Sequence, residues 1–335
     1  MTRNLSMRGN KRTLQRTFRT KIISSFIQET LSTIVIKNIF LLPFVLIPVY
    51  LLGPVETCQA EILLYDDLNH EIRLQKPVQR IISLTPHITE LLFTAGAGDK
   101  IIGTVSHSDY PEAAKTIPRI GDAASVDIEK IIALNPDVII VWATGTSHSI
   151  LENLHQLNFP LYYSEARTLE QIALSLTKLG KLADTESVAR GNSNVFLTQM
   201  NSLKQMYSKK DPVNVFYQFW YQPIFTINKN HLINDVIKLC GGRNIFSGLA
   251  SLTPIVDIES VLAGNPDVII ASGQTSSPPQ WLDKWNTWPE INAVKYEQLY
   301  SIPPDFLLRH TLRILKGATL MCEYIDKARS YKHSE

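Results

Sequence analysis

A sixteen-residue phrase that occurs twice constrains the fold of this chain more than any other feature. Residues 126–141 have the sequence VDIEKIIALNPDVIIV and residues 256–271 have the sequence VDIESVLAGNPDVIIA, with eleven of sixteen positions identical at a separation of 130 residues. In each copy an aspartate suited to a helix N-cap, Asp127 or Asp257, precedes an apolar stripe, and Asn-Pro ends the helix. A β-branched run typical of a buried parallel strand follows. Because the period is far longer than that of a solenoid, the phrase predicts two similar α/β lobes.

A long helical pattern separates the two copies. Residues 168–208 contain no proline and carry apolar residues at helical spacing, and Pro212 follows them. Such a stretch is too ordered for a flexible linker and predicts a stiff spine between the lobes. We therefore predict an α/β fold with two similar lobes of mainly parallel sheets, joined by one long helical spine, with a ligand cleft between the lobes. The predicted boundaries are a signal peptide at 1–60, an N-terminal lobe at 61–167, a connecting helix at 168–210 and a C-terminal lobe at 211–330.

Basic residues are concentrated at the N-terminus. The whole chain has a formal net charge of +2, but residues 1–60 hold eight Lys or Arg and two acids, which leaves a net charge of −4 for the rest. The basic excess thus belongs to the leader, and this argues against a nucleic-acid partner.

The leader also contains an apolar segment at residues 39–53. Its fifteen residues fall short of the roughly twenty that span a bilayer, and two prolines interrupt it. Cys58 and Ala60 provide small residues at positions −3 and −1 for cleavage before Glu61, so the segment predicts export by a cleaved signal peptide. An uncleaved anchor and lipidation at Cys58 are the alternatives.

Two cysteines, Cys240 and Cys322, would remain after such cleavage. An even pair in an oxidising compartment favours a disulfide, and two separately buried thiols are the alternative. Neither cysteine has the spacing of a metal site.

The sequence carries no catalytic signature. It lacks a Gly-rich phosphate loop, an HExxH motif and a GxSxG motif. The histidines are scattered, although His87, His107 and His148 follow strands or lie in loops at one end of the first predicted sheet. A first-row metal site built from these three is one interpretation, and ordinary loop histidines are the simpler one.

Aromatic side chains at strand ends are stronger candidates for a binding site. Open α/β sheets bind ligands beyond the carboxyl ends of their strands, and large flat side chains there suit a flat, bulky ligand. Packing in the core is the alternative for each of them. The residues in question are Tyr110, Trp142, Phe219, Trp220 and Tyr221.

Four charged residues stand out by their positions. Glu129 and Glu259 occupy the same place in the first turn of the two repeat helices, where the helix dipole alone would explain a carboxylate. Equivalent exposed carboxylates on two lobes would also suit a partner with two matching basic pockets. Asp305 and Arg309 lie four residues apart at a helix start, where they could form an ion pair or face the cleft.

The order of motifs resembles one family, the cobalamin-binding periplasmic proteins of bacterial ABC importers. The resemblance covers residues 78–325. The motif order is specific to the class of solute-binding proteins with a helical spine. Within this class, the DYP and FWYQP stretches indicate the cobalamin branch. It rests on IISLTPHITELLFTAGAGDKIIG, SDYP, the repeated DIE…NPDVII, the helical stretch, FWYQP, LCGGRNIF and the C-terminal cysteine.

The resemblance implies roles for individual residues in ligand binding. Tyr110 matches a tyrosine that contacts the corrin in the family, and Trp142 and Phe219 match a tryptophan and a phenylalanine of the cleft. Asp305 and Arg309 match a polar pair that faces the ligand from the second lobe.

The resemblance also implies contacts outside the cleft. Glu129 and Glu259 match two glutamates that dock onto arginine pockets of a dimeric permease, and Cys240 and Cys322 match a disulfide of the family. The chain departs from the pattern where well-known members carry tryptophan, since Ala123 and Thr253 stand there. Trp220 and Tyr221 could replace the missing aromatic surface.

We therefore predict a periplasmic solute-binding protein that captures a corrinoid such as cobalamin and delivers it to the dimeric permease of an inner-membrane ABC importer. We expect a monomer that is not an enzyme and uses no cofactor or metal. A ferric siderophore or haem carrier is the alternative within the class. A secreted metal-dependent enzyme that uses the loop histidines is the alternative from another class.

Overall fold

The computed structural model describes residues 62–122, 124–273 and 277–332. The predicted signal peptide, with Cys58, and the departure at Ala123 lie outside these described residues.

The described chain alternates short strands with helices. The strands are β1 (Ile62–Tyr65), β2 (Glu71–Leu74), β3 (Ile81–Ser83), β4 (Ile101–Thr104), β5 (Val138–Trp142), β6 (Leu161–Ser164), β7 (Val213–Gln218), β8 (Ile224–Phe225), β9 (Gly242–Asn244), β10 (Ile255–Val256), β11 (Val268–Ala271) and β12 (Leu299–Ser301). The α-helices are α1 (Pro86–Thr94), α2 (Ile128–Leu134), α3 (His148–Gln156), α4 (Leu169–Leu182), α5 (Glu186–Tyr207), α6 (Leu232–Leu239), α7 (Ile258–Gly264), α8 (Asn292–Lys295), α9 (Pro304–Leu307) and α10 (Ile314–Lys332). None of these helices combines the length and hydrophobicity that crossing a membrane requires.

Each lobe contains a four-stranded parallel sheet, and the two sheets have the same strand order. The N-terminal sheet has the order β4-β3-β5-β6, and the C-terminal sheet has the order β9-β7-β11-β12. When the four strands of each sheet are numbered in chain order, both sheets have the order 2-1-3-4. The two similar α/β lobes that the repeated phrase predicts are confirmed. Two small antiparallel pairs, β1-β2 and β8-β10, lie outside these sheets.

The two repeat copies fold alike at both ends of their helices. The Asp127 side chain accepts a hydrogen bond from the backbone N–H of Lys130 at 3.0 Å, and the Asp257 side chain accepts one from Ser260 at 2.8 Å, so both aspartates are N-caps. Asn135 and Asn265 end α2 and α7 in the left-handed region, at φ 43° and 35°. In both helices the left-handed asparagine stops the helix just before the proline.

The aspartate after Asn-Pro has a structural role that sequence reasoning missed. Asp137 Oδ2 accepts hydrogen bonds from the backbone N–H groups of Gln79 and Arg80, at 2.7 and 3.0 Å. In the other lobe, Asp267 Oδ2 accepts one from the N–H of Asn214 at 2.9 Å. The repeated carboxylate thus fixes the start of the central strand against the first strand of its sheet in each lobe.

The stretch predicted as one long helix contains two helices, α4 and α5. Asp184 lies between them with a φ of 57°, which a right-handed helix cannot continue. The helices fold back on each other, with the Ser193 hydroxyl donating to the Ala173 carbonyl at 3.1 Å. Their close approach depends on Gly180, since a Cβ there would lie 2.4 Å from the Cβ of Ala189. The 22-residue α5 contacts α1 of the first lobe and α6 and α10 of the second, as a spine between the lobes would.

One hydrophobic core extends through both lobes and the helices between them. Tyr162 of β6, Phe196 of α5 and Tyr217 of β7 are all fully buried members of this core. Because close-packed interiors deform little, a shared core favours a small closing movement over a wide hinge motion.

The predicted disulfide is present. Cys240 follows α6 and Cys322 lies in α10, and the bond joins two fully buried side chains with Cα atoms 4.6 Å apart. The Arg329 guanidinium donates to the Cys240 carbonyl at 3.1 Å. The bond thus attaches the last helix to the C-terminal lobe.

Candidate functional site

A cavity of about 240 Å³ lies at the carboxyl ends of β3, β4 and β5. Thr85 and His87 follow β3, Ser106 follows β4, and Trp142 ends β5. Arg309 from the C-terminal lobe also lines the cavity. The cavity therefore draws on both lobes and lies at the sheet edge where ligands are expected.

Trp142 is fixed at this cavity by the loop that follows it. Its backbone N–H donates to the Thr146 hydroxyl at 3.1 Å, and the Thr146 N–H donates to the Trp142 carbonyl at 2.9 Å. A Cβ on Gly145 would lie only 1.8 Å from the indole ring, so glycine is needed where the loop crosses the ring. The loop thus holds Trp142 in place at the cavity wall.

Three imidazoles from both lobes form a cluster beside Trp142, in which the rings of His87 and His310 contact the indole. The His87 ring lies 5.1 Å from the Trp142 ring and 5.6 Å from that of His310, and His231 lies 6.3 Å from His310. Burial lowers the pKa of His87 to about 3 and that of His231 to about 4, and it holds the pKa of His310 well below its usual value. Nearby positive charge from Arg309 adds to the effect on His87. All three rings are therefore neutral at neutral pH.

This imidazole cluster differs from the group that the sequence indicated. His107 and His148 are exposed, and His148 pairs with Glu152 at 3.1 Å on the surface of α3. His107 lines the same cavity as His87, but the ring that lies against His87 is that of His310 from the other lobe, which in turn lies against His231. Within the described ranges, no three His, Cys, Asp or Glu side chains form a group that could hold a metal ion.

Two buried nitrogen atoms of the described residues make no hydrogen bond here. His310 Nδ1 and Trp142 Nε1 are buried without a hydrogen-bond partner among the described residues. A buried donor or acceptor without a partner costs free energy, so these two atoms are locally destabilising.

The C-terminal lobe provides a second hollow of about 450 Å³. Phe219, Trp220 and Tyr221 line it after β7, together with Trp281. The Tyr221 and Trp281 rings are stacked at 6.1 Å, and Trp220 is 40% exposed. These rings form an aromatic surface at the second hollow.

Arg309 connects the two lobes at the first cavity. Its guanidinium pairs with Asp305 at 3.0 Å in its own lobe and with Asp109 of the N-terminal lobe at 2.9 Å. Burial alone would raise the pKa of Asp109, but the hydrogen bond and charge of Arg309 lower it. The ion pair between Asp305 and Arg309 therefore forms, and of the two residues Arg309 lines the cavity.

Tyr110 lies beside this ion pair in the loop after β4. Its side chain is 45% exposed, and the Arg313 guanidinium lies 4.1 Å from the centre of its ring. Thr253, the other departure from the family pattern, is partly exposed and lines neither hollow.

Glu129 and Glu259 are exposed in the first turns of α2 and α7. Neither carboxylate pairs with a cation within the part of the chain that the structure describes. Both are therefore available to a partner from outside.

Comparison with known proteins identifies the family. The model of the periplasmic binding protein family matches residues 81–306. The chain belongs to this family. A vitamin B12-binding protein of Vibrio campbellii is 37% identical over 253 residues, which is 76% of this chain and 91% of the relative. The family resemblance seen in the motif order is confirmed, and such relatives are binding proteins.

Solved structures have the same architecture. The crystal structure of the periplasmic vitamin B12-binding protein of Vibrio cholerae matches with a TM-score of 0.69 at 35% identity, over 76% of this chain and 98% of that chain. A periplasmic heme-binding protein of Roseiflexus matches with a TM-score of 0.65 at 19% identity, over 75% of this chain and 99% of that chain. At that identity the second match shows the fold alone.

Proposed function

We propose that this protein captures a corrinoid, vitamin B12 or a close relative, in the periplasm and delivers it to an ABC importer of the inner membrane. The observation that carries the proposal is the cavity lined by both lobes, with Trp142 from the N-terminal lobe and Arg309 from the C-terminal lobe. The similarity to vitamin B12-binding proteins supports the choice of ligand. The protein binds and releases this ligand without covalent chemistry.

A corrinoid would extend across both hollows and contact their aromatic and polar side chains. Its flat macrocycle would contact the aromatic walls formed by Trp142 on one side and Phe219, Trp220 and Tyr221 on the other. Its peripheral amides would accept hydrogen bonds from Arg309 and donate to Asp305. Tyr110 would contact the ligand from the N-terminal lobe.

Haem is the second candidate ligand, and one observation favours it. His87 lines the first cavity with a pKa lowered to about 3, and a neutral imidazole is a ligand that haem iron accepts. A direct competition between cobalamin and haem therefore decides the ligand.

The domain boundaries and the leader belong to the same proposal. Residues 1–60 would direct export and be removed. The lobes would comprise residues 61–167 and 211–330, and residues 168–210 would connect them. The exported monomer would then meet its importer at the outer face of the inner membrane.

Replacing Trp142 or Phe219 by alanine should weaken cyanocobalamin binding by about 1–3 kcal/mol, because each would remove a buried aromatic contact with the ligand. Isothermal titration calorimetry would measure the dissociation constants, and circular dichroism would confirm folding. Tyr65→Ala is the matched control, since Tyr65 is 47% exposed and lies on β1, away from both hollows. If the Trp142 and Phe219 variants both bind as tightly as the wild type, the ligand must bind elsewhere.

Glu129→Gln and Glu259→Gln should each reduce transport while leaving ligand affinity unchanged. Each change would remove one charge-assisted contact with a permease arginine, worth about 1.5–3 kcal/mol. The double variant should transport less than either single variant, since the lobes would contact separate permease subunits. Uptake of labelled cobalamin in cells that carry the matching permease is the measurement.

Glu186→Gln is the control for the docking experiment. Glu186 also lies in the first turn of a helix, α5, but outside the repeated phrase. If the two repeat glutamates served only the helix dipole, each of their changes would cost at most about 1 kcal/mol of stability and leave uptake at the level of Glu186→Gln. Normal uptake by the double variant would remove both residues from the docking surface.

A further inference from the structure

Tyr110 needs a support that its own loop does not supply. The loop is anchored at Ser108, which is fully buried and accepts a hydrogen bond from the Thr104 hydroxyl at 2.8 Å. The Ser108 carbonyl also accepts a hydrogen bond from Arg119 at 2.8 Å. The Tyr110 side chain lies beyond this anchor and is 45% exposed, so the anchor alone leaves its ring free to change rotamer.

Arg313 of the C-terminal lobe supplies this support. Its guanidinium carbon lies 4.1 Å from the centre of the Tyr110 ring, within the range of an attractive cation–π contact. A planar guanidinium stacked on a ring covers one face of that ring and leaves the other face accessible. The Arg313 side chain is only 14% exposed, which strengthens the contact relative to one in open water.

Glu90 fixes the orientation of the guanidinium. Arg313 Nε donates to Glu90 Oε1 at 2.8 Å, and Arg313 Nη2 donates to Glu90 Oε2 at 2.6 Å. Glu90 lies on α1 and its side chain is 3% exposed. A two-pronged contact with a buried carboxylate holds the guanidinium plane, which a lysine ammonium cannot reproduce.

We propose that Arg313 is a positioning residue that holds the Tyr110 ring in place for ligand contact, with Glu90 orienting Arg313. The inference rests on the proposed function, because it takes Tyr110 to be a ligand contact. It assigns the Glu90–Arg313 ion pair, which joins the two lobes, a role in affinity for the ligand. The expected consequence is that Arg313 affects binding only through Tyr110.

A double-mutant cycle tests this dependence. Dissociation constants for cyanocobalamin are measured for the wild type, Arg313→Lys, Tyr110→Ala and the double variant. Arg313→Lys should weaken binding by about 3- to 10-fold, because an ammonium cannot pair with both oxygens of Glu90 and still cover the Tyr110 ring as the guanidinium does. In the Tyr110→Ala background the same change should have no effect. Equal weakening in both backgrounds would overturn the proposal, as would unchanged binding by Tyr110→Ala.

Two further variants guard against loss of folding. Arg190→Lys is the matched control, because Arg190 pairs with Glu186 at 2.6 Å on the exposed face of α5. If Arg313→Lys fails to fold, Glu90→Gln combined with Arg313→Gln removes both charges together and leaves no buried charge unpaired. In the double-mutant cycle this pair of changes then takes the place of Arg313→Lys. It should weaken binding when Tyr110 is present and have no effect in the Tyr110→Ala background.

A readout without ligand separates this inference from the proposed function. The protein is labelled with 3-fluorotyrosine, and the Tyr110 resonance is assigned with Tyr110→Phe. The fluorine signal of Tyr110 should shift toward that of free fluorotyrosine in Arg313→Lys. A wild type that binds no cyanocobalamin would contradict the proposed function, whereas an unchanged Tyr110 signal in Arg313→Lys would contradict the positioning role.

Discussion

Reduction of the Cys240–Cys322 disulfide is expected to lower the free energy of unfolding by about 3–4 kcal/mol, because it would release a constraint on the unfolded chain. The bond joins residues separated by 82 positions, so it closes a long loop, and a long loop gives a large entropic effect. Chemical denaturation of residues 61–335, with and without dithiothreitol, would measure the difference.

The control for this experiment replaces both cysteines with alanine. Dithiothreitol should change the stability of the wild type and leave that of the double variant unchanged. Titration of free thiols in the unfolded, unreduced protein should find none. Two reactive thiols per chain would contradict the disulfide.

Mild acid should destabilise the protein through the imidazole cluster of His87, His231 and His310. Above pH 6.5 these side chains are neutral in both the folded and the unfolded chain. Below it the unfolded chain binds protons that the folded chain does not, because burial lowers the folded pKa of His87 to about 3 and that of His231 to about 4. Stability is therefore lost as the pH falls from 6.5 toward the folded values, by up to about 1.4 kcal/mol per pH unit for each histidine.

His231→Asn tests this pH dependence while preserving a structural contact. His231 Nδ1 accepts a hydrogen bond from the Ile233 N–H at 3.1 Å as the N-cap of α6, and asparagine is a favoured N-cap residue. Urea denaturation between pH 4.5 and 6.5 would measure how the free energy of unfolding changes with pH. In His231→Asn this slope should be smaller than in the wild type by up to about 1.4 kcal/mol per pH unit. His148→Asn is the control. Because His148 is exposed, its replacement should leave the slope unchanged. An identical slope in His231→Asn and the wild type would contradict the pKa values.

The sequence was most informative where structure is determined by neighbours along the chain. Asp127 and Asp257 are helix caps, Asn135 and Asn265 are helix ends, and the β-branched runs are buried strands. Each depends on a few adjacent residues and on local backbone preferences. The repetition of this local pattern was enough to predict two similar lobes.

Contacts between the lobes could not be predicted in the same way. Glu90 and Arg313 are 223 residues apart, and His87 and His310 meet only because the lobes pack together. The residues next to Glu90 and Arg313 in the sequence do not show that the two form a buried ion pair. Likewise, the residues next to each histidine do not show that the three rings form a cluster. The break at Asp184 was missed for a related reason, since packing of α4 on α5 outweighs the helical propensity around it.

The most direct test of the proposed ligand is an absorption spectrum taken after competition. The purified protein would be incubated with equal concentrations of cyanocobalamin and haem and then passed through a desalting column. We expect the protein fraction to carry the corrin absorption bands, with about one cobalamin per chain, and to lack the haem Soret band. A protein fraction that retains haem and no cobalamin would contradict the proposal.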